Sequence, residues 1–319
     1  MSSPNISIIF RALNEEEWFA DALHACQRQS LDGLTSEIIL VDSGSTDNTL
    51  KIAKDFDCKI VHIAKADFTF GRSLNYGCRA ANGDILVFIS AHCIPSHDRW
   101  LSNLVQPLLD EQAHYVYGSQ IGHEVFRFSE HQVFAQYFPA HDKLPQDNFF
   151  INNANSAILK SVWEENPFDE EVTGLEDMVL AKRLRQMGMQ IGYIADAPVI
   201  HIHQESFKQT RIRYYREALT LRQIFPDMHF HYGDFIRFFL VGVFNDFSVA
   251  LNSRQFLRRF GEIVAFRWMQ YRGTYKGHNE NRAISREQKE QYYYPKPGRF
   301  VSAPSANINA AKETNGRPA

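Results

Sequence analysis

Apolar residues come in short runs over the first ninety positions of the chain. Ile6 to Phe10, Glu37 to Asp42, Lys59 to Ile63 and Asp84 to Ser90 are rich in Ile and Val, too short for helices, and predict strands. Between them the spacing changes to a helical period in Glu15 to Gln29, Ser45 to Phe56 and Arg72 to Ala81, with Ser45 placed to cap the second helix. Such alternation predicts an α/β fold, a mostly parallel sheet covered by helices on both faces. Ligands of such sheets bind beyond the carboxyl ends of the strands. Those ends carry Arg11-Ala12-Leu13-Asn14-Glu15, Asp42-Ser43-Gly44-Ser45-Thr46-Asp47 and Ser90-Ala91-His92-Cys93.

The pattern is less clear from His114 to Ile151, where aromatic-rich pieces and several His predict mixed strand and loop. A helix follows at Glu176 to Met187, then strands at Gly192 to Ile194 and Val199 to His203. Lys208 to Ile224, Phe235 to Leu251 and Gln255 to Gln270 are long helical stretches without internal Pro, and after Gly277 the chain turns polar and is expected to be extended or disordered. No internal repeat is evident.

The charge distribution divides the chain further. Residues 1–207 carry a balance of −13, residues 208–276 of +7 and residues 277–319 of +3. This suggests a first unit over 1–207, a basic helical region over 208–276 and a polar tail over 277–319. In the basic region, Phe235-Ile236-Arg237-Phe238-Phe239-Leu240-Val241-Gly242-Val243-Phe244, followed by Arg254, Arg258 and Arg259, has the composition of an interfacial helix facing anionic lipid. Packing on the first unit or on a second subunit, in a homo-oligomer, is the other reading of the same residues. Nucleic acid is disfavoured as a partner, because the acidic first two-thirds would repel a polyanion.

With 44% hydrophobic residues among 319 the chain can build a real core, and whole-chain disorder is excluded. The four cysteines, Cys26, Cys58, Cys78 and Cys93, form no Cys-X-X-Cys pair, which fits a reducing compartment. No stretch approaches the roughly 20 apolar residues that span a bilayer, and the first residues lack the pattern of a signal peptide. A cytoplasmic location is expected, with attachment to the inner face of the plasma membrane if the basic region meets lipid.

Several residues at the expected strand ends are suited to chemistry. Asp42, at the end of its strand, can accept hydrogen bonds from a base or ribose; alternatively Asp42 and Ser45 are turn and cap residues. Arg72 and Asn75, in the first turns of a helix after Gly71, could meet a diphosphate, although an ordinary solvated Arg explains the first equally. Glu176 and Asp177 open a helix, where one of them could act as a general base and where the helix dipole alone also favours acids. His201 and His203 share one face of a strand, forming a metal or phosphate site or a half-buried pair.

The order ALNE, VDSGSTDNT, FGRSLNYG, ANGD and GLED resembles glycosyltransferase family 2 with a GT-A fold, over roughly residues 6 to 205. Within that family it is most similar to bacterial rhamnosyltransferase-like members, some of which share a stretch like Phe266 to Gly277. The resemblance implies inverting transfer of a hexose or deoxyhexose from a nucleoside-diphosphate sugar to a hydroxyl of a glycan or lipid-linked glycan, in capsule or O-antigen synthesis. It implies that Asn14, Glu15, Asp42, Arg72, Asn75, Ser90 and His92 bind the donor. Asp177 would be the catalytic base, with Glu176 beside it.

Family members usually end the fourth strand with Asp-X-Asp, which binds a divalent metal across the diphosphate; here the residues are Ser90-Ala91-His92. His92 would then ligate a metal with His203 and His201, a donor set better suited to Mn than to Mg, or would contact the phosphates itself. A GT-A protein that binds carbohydrate without turnover, a sugar nucleotidyltransferase, and a zinc hydrolase built on His201 and His203 are the competing readings.

Overall fold

The computed structural model describes residues 5–31, 33–202 and 205–280. The four expected N-terminal strands form as β1 (Asn5–Ala12), β2 (Thr35–Asp42), β3 (Lys59–His62) and β4 (Ile85–Ser90), all mutually parallel. Helices α1 (Phe19–Gln27), α2 (Thr49–Asp55) and α3 (Phe70–Ala80) connect them. Strand β1 shows why both faces are covered. Ile6, Ile8 and Phe10 join Leu23 of α1 in one core, whereas Ile9 points the other way onto Leu74 and Cys78 of α3. Full burial of each such side chain is worth about 1.5–3 kcal/mol.

The sheet continues through β5 (Cys93–Pro95), β6 (Tyr115–Gly122), β7 (Asn155–Leu159) and β8 (Ile191–His201), in the spatial order β3-β2-β1-β4-β7-β6-β8-β5. Strand β7 runs antiparallel to both β4 and β6, and β5 runs antiparallel to β8. The two strands expected near Ile194 and Val199 are one long strand, paired to β6 with a register shift between Gly118 and Gln120. That shift accommodates the extra residues without ending the ladder.

Three further helices belong to this layer: α4 (Trp100–Leu109), α5 (Phe128–Tyr137) and α6 (Lys160–Glu165). Helix α5 corrects the expectation of strand and loop over residues 114–151. Its Phe128 joins Ala250 and Ile263 in a small apolar cluster, and its Glu130 pairs with Arg213, so apolar and polar positions face protein alike and no simple stripe remains. The first helix begins at Phe19 rather than Glu15, because residues 14–16 are bonded to the 45–49 segment instead. Ser45 is not a cap: Asn48 precedes α2, and the Ser45 hydroxyl accepts the Asn14 amide at 3.0 Å.

Helix α7 (Glu176–Gln186) is followed by the C-terminal helices α8 (Phe207–Ile224), α9 (Tyr232–Asn252) and α10 (Phe256–His278). Helix α10 runs beyond the expected end at Gln270, to His278; of the polar tail expected over 277–319, residues 281–319 lie outside the described residues. Helix α8 is tied to the sheet layer by Arg213 to Glu130 at 2.7 Å, by Thr173 against Thr220 at 3.3 Å, and by Phe149 stacked on Phe225. Helix α10 packs on α8 through Gly273 and Gly277, where a Cβ would strike the backbone of Arg211 and Tyr215. Helix α9 lies outside, against α10 and touching α5. Among the described residues no helix is long and apolar enough to cross a membrane.

Candidate active site

The register sets the floor of the site, with Ala12 opposite Asp42 and Arg11 opposite Ser90, so three strand ends finish level. The loops that follow are laced together. Asn14, in the left-handed region at φ 57°, accepts the Thr46 amide at 2.8 Å, and the Glu15 amide donates to the Thr49 hydroxyl at 2.8 Å. The Glu16 carboxylate receives the Asn48 backbone and side-chain N–H groups. Asp42 is buried and receives the Gly44 amide at 3.0 Å and the Ser45 amide at 3.1 Å. The turn alternative therefore describes Asp42 as it stands: its carboxylate shapes the 43–45 turn at the rim of the site.

Arg72 and Asn75 are placed differently from the sequence expectation. Asn75 is buried, with its carbonyl oxygen accepting from Trp163 and from the Phe168 amide, and its NH2 donating to the Phe168 carbonyl and to Glu170. These contacts leave nothing for a diphosphate, so Asn75 is a clamp for the 166–170 segment and not a donor ligand. Arg72 donates to Glu170 at 2.7 Å and to the Asp67 carbonyl at 2.8 Å. The first turn of α3 is covered by the chain itself, since a Cβ at Gly71 would collide with the Asp169 carbonyl. Arg72 stays about a third exposed at its side chain, and any contact with a ligand competes with Glu170.

On the other side of the strand ends, α7 starts from an unusual turn. Gly174 at φ 151° and Leu175 at φ 54° both lie in the region that L side chains avoid, a cost of about 1–3 kcal/mol for the leucine. The turn delivers Glu176 and Asp177 side by side into a buried position. Glu176 is held by Arg11 at 3.3 Å, and the same guanidinium donates to the Phe70 carbonyl. Asp177 accepts the Asn153 amide at 2.9 Å and the Met178 amide at 2.8 Å. Burial, reinforced by the Glu176 charge, pushes the Asp177 carboxyl up to about 7.

The third strand end carries His92, whose Nδ1 lies 3.1 Å from a Glu15 oxygen. Burial pulls the imidazole pKa down, but the Glu15 carboxylate, with Glu205 behind it, turns the net direction upward. His92 stacks on His201 with ring centroids 5.2 Å apart. Burial and then the neighbouring His92 push His201 well down, and its Nδ1 meets Gln120 at 2.7 Å. His203 lies outside the described residues.

Sequence reasoning missed several groups at this centre. Arg11 was legible as a charge at the end of an apolar strand. Glu170 and Asn153 carry no local signal. Helix α8 contributes Arg216, whose guanidinium lies over the Phe70 ring at 5.2 Å, on a ring that Arg11 also approaches at 5.2 Å. Arg213 donates to Glu130 and Glu205. The spacing of these two arginines places them on one side of the helix, a signal present in RIRYYRE.

Residues 7–165 match the family model described as Glycosyl transferase family 2. The chain belongs to glycosyltransferase family 2. It is similar to the O-antigen chain rhamnosyltransferase RfbN of Salmonella typhimurium, at 26% identity over 66% of this chain and 70% of that protein. With the O-antigen chain rhamnosyltransferase WbaN of Salmonella anatum it shares 28% identity over 62% of this chain and 65% of that one. Among solved structures, the mannosyltransferase PcManGT from Pyrobaculum calidifontis, in complex with GDP-Man and Mn2+, superposes with a TM-score of 0.60 over 88% of both chains, at 16% identity. Glucosyl-3-phosphoglycerate synthase from Mycobacterium tuberculosis, in complex with Mn2+, UDP and phosphoglyceric acid, gives 0.51 at 25% identity, over 69% of this chain and 78% of that one. The GT-A fold expected for a family 2 glycosyltransferase is thus present, with three helices added at its C-terminus.

Both of these solved relatives hold Mn2+. Among the described residues of this chain no group of three or more His, Cys, Asp or Glu is placed to hold a metal ion. His92 Nδ1 is engaged by Glu15 and His201 Nδ1 by Gln120, so a divalent ion would have to be met by other donor atoms, with oxygens of the diphosphate completing its shell.

Proposed function

We propose that this chain is an inverting glycosyltransferase. It moves a hexosyl or deoxyhexosyl group, foremost rhamnose, from a nucleoside-diphosphate sugar to a hydroxyl of a glycan or lipid-linked glycan in cell-surface polysaccharide synthesis. The rhamnosyltransferase relatives support the sugar and acceptor class. The observation that carries the chemistry is Asp177, a buried carboxylate with its proton affinity raised towards neutrality beside the level strand ends.

In this reading Asp177 takes the proton of the acceptor hydroxyl while that oxygen bonds to the anomeric carbon. The bond from that carbon to the diphosphate breaks, and its electron pair leaves with the nucleoside diphosphate. Glu176, fixed by Arg11, keeps the proton affinity of Asp177 high enough for the task. Asn14, Glu15, Asp42, Ser90 and Arg72 shape the donor edge, and His92, held by Glu15, faces the charge that grows on the diphosphate.

Assays with a panel of nucleoside-diphosphate sugars and oligosaccharide acceptors test the reading. Release of nucleoside diphosphate with inverted product configuration is expected. A retained configuration, or no release and no thermal stabilisation with any donor, contradicts it. His92→Ala should lower turnover roughly 100-fold, the scale for losing one preorganised donor. Chelator should leave wild-type activity in place; its loss on chelation would assign the charge on the diphosphate to a metal.

Glu176→Gln supplies a separate check on the base. Removing the adjacent negative charge and freeing Arg11 both favour the ionised form of Asp177. The acidic limb of the kcat/KM profile should therefore move to lower pH by roughly one unit. An unmoved limb would separate Asp177 from the titration that controls the rate.

A further inference from the structure

Helix α9 turns one face to α10 and leaves the other bare. Phe235 and Phe239 pack on Trp268, Gly242 lies against Arg267 and Tyr271, Asp246 pairs with Arg267, and Phe247 stacks on Phe260. On the opposite side, Leu240, Val241, Phe244 and Leu251 follow one another at helical spacing, and all are exposed, Phe244 by 63%. The stripe continues past the turn between α9 and α10 to Leu257, in the first turn of α10, which is 92% exposed. An apolar surface of this kind on a polypeptide in water calls for an occupant.

The charges beside it identify the occupant. Arg237 of α9, Arg254 of the turn and Arg258 in the first turn of α10 are all exposed. The carboxylates nearby are already used: Asp234 in the first turn of α9, Asp246 by Arg267, and Glu262 by Arg259 and the Phe128 amide. A second copy of the chain laid on this face would set arginine against arginine with no exposed carboxylate of α9 to offset them. A surface that is apolar below and anionic above satisfies both the stripe and its rim.

We infer that the exposed face of α9, the turn after it and the first turn of α10 dock on the headgroup region of an anionic lipid bilayer, lying on the membrane rather than crossing it. The inference concerns where the protein sits and is independent of which sugar it transfers. Phe244, Leu251 and Leu257 enter the acyl boundary while Arg237, Arg254 and Arg258 meet the lipid phosphates. The electrostatic part weakens with salt, because charges beyond about 8 Å are screened at physiological ionic strength.

Co-sedimentation of the full chain with vesicles of phosphatidylglycerol and phosphatidylcholine, against phosphatidylcholine alone, tests this directly. Binding to the anionic vesicles at low salt is expected, with at least a tenfold loss of affinity in the Phe244→Glu, Leu257→Glu double variant and a comparable loss in Arg254→Glu, Arg258→Glu. All four positions are exposed, and an unchanged melting temperature shows that the fold survives. Equal recovery in the supernatant with and without anionic lipid overturns the inference. Sedimentation velocity then shows whether a dimer broken by Phe244→Glu occupies the face instead. Vesicle binding that none of these substitutions weakens also overturns it, by placing the contact elsewhere.

Discussion

Asp177→Asn should reduce sugar transfer by about 100- to 10,000-fold while leaving nucleoside-diphosphate affinity close to wild type. The amide keeps the size and planarity of the carboxyl group but cannot take up the acceptor proton. One of the two amide donors that meet Asp177, from Asn153 and Met178, would face the new NH2 group, a local loss that does not reach the donor edge. The same substitution has a thermal signature. Folding raises the Asp177 pKa from its ordinary 3.8 to about 7, so the folded chain holds the proton more tightly than the unfolded chain between those values. Stability therefore falls as pH rises through that window, and the Asn variant should lose this slope. Melting temperatures at pH 5 and pH 7.5 give this readout without any activity assay. Transfer at near wild-type rate would move the base role to Glu176.

The largest expected effect on stability is at the α9–α10 contact. Asp246 and Arg267 form a two-point pair, Nε to Oδ2 at 2.8 Å and Nη2 to Oδ1 at 2.7 Å, both buried, and Gln270 takes a third N–H at 2.9 Å. Asp246→Ala strands a guanidinium that cannot lose its proton, and the cost should be about 3–5 kcal/mol. Replacing both partners, Asp246→Leu with Arg267→Met, removes the desolvated charges together and should cost far less. Urea unfolding of the three proteins separates the cases. A loss below about 1 kcal/mol for Asp246→Ala would mean that water or another acceptor reaches Arg267.

What could be read from the chain and what could not follows from range. The four N-terminal strands and α3 announce themselves through local periodicity, and Glu176 and Asp177 through their place at a helix start. Asn75 looked like a ligand because FGRSLNYG offers it on a first helical turn; that its amide is consumed by Trp163, Phe168 and Glu170 depends on a segment about ninety residues away. Ser45 has the chemistry of a cap, and the Asn14 amide claims it from another loop. Helix α5 lost its amphipathic stripe because α8 and α10 cover the side that water would otherwise wet. The basic C-terminal third read as one region by charge. In the fold it divides, since Arg213 and Arg216 of α8 turn to the candidate active site while Arg254 and Arg258 turn outward.

The strand order also sets a timetable for synthesis on the ribosome. Strand β5, which directly follows His92, pairs among the described strands with β8 alone, and its partners Cys93 and His201 are separated by about a hundred residues of chain. At roughly 5–20 residues per second, β5 waits several seconds for its neighbour to emerge. Throughout that interval the β1, β2 and β4 edge can assemble, but the stack of His92 on His201 and the buried Asp177 cannot. Under the proposed function, a nascent chain is thus able to shape its donor edge before it can turn over a sugar. Competence arrives late in translation, as β8 closes the sheet and α8 folds back across it.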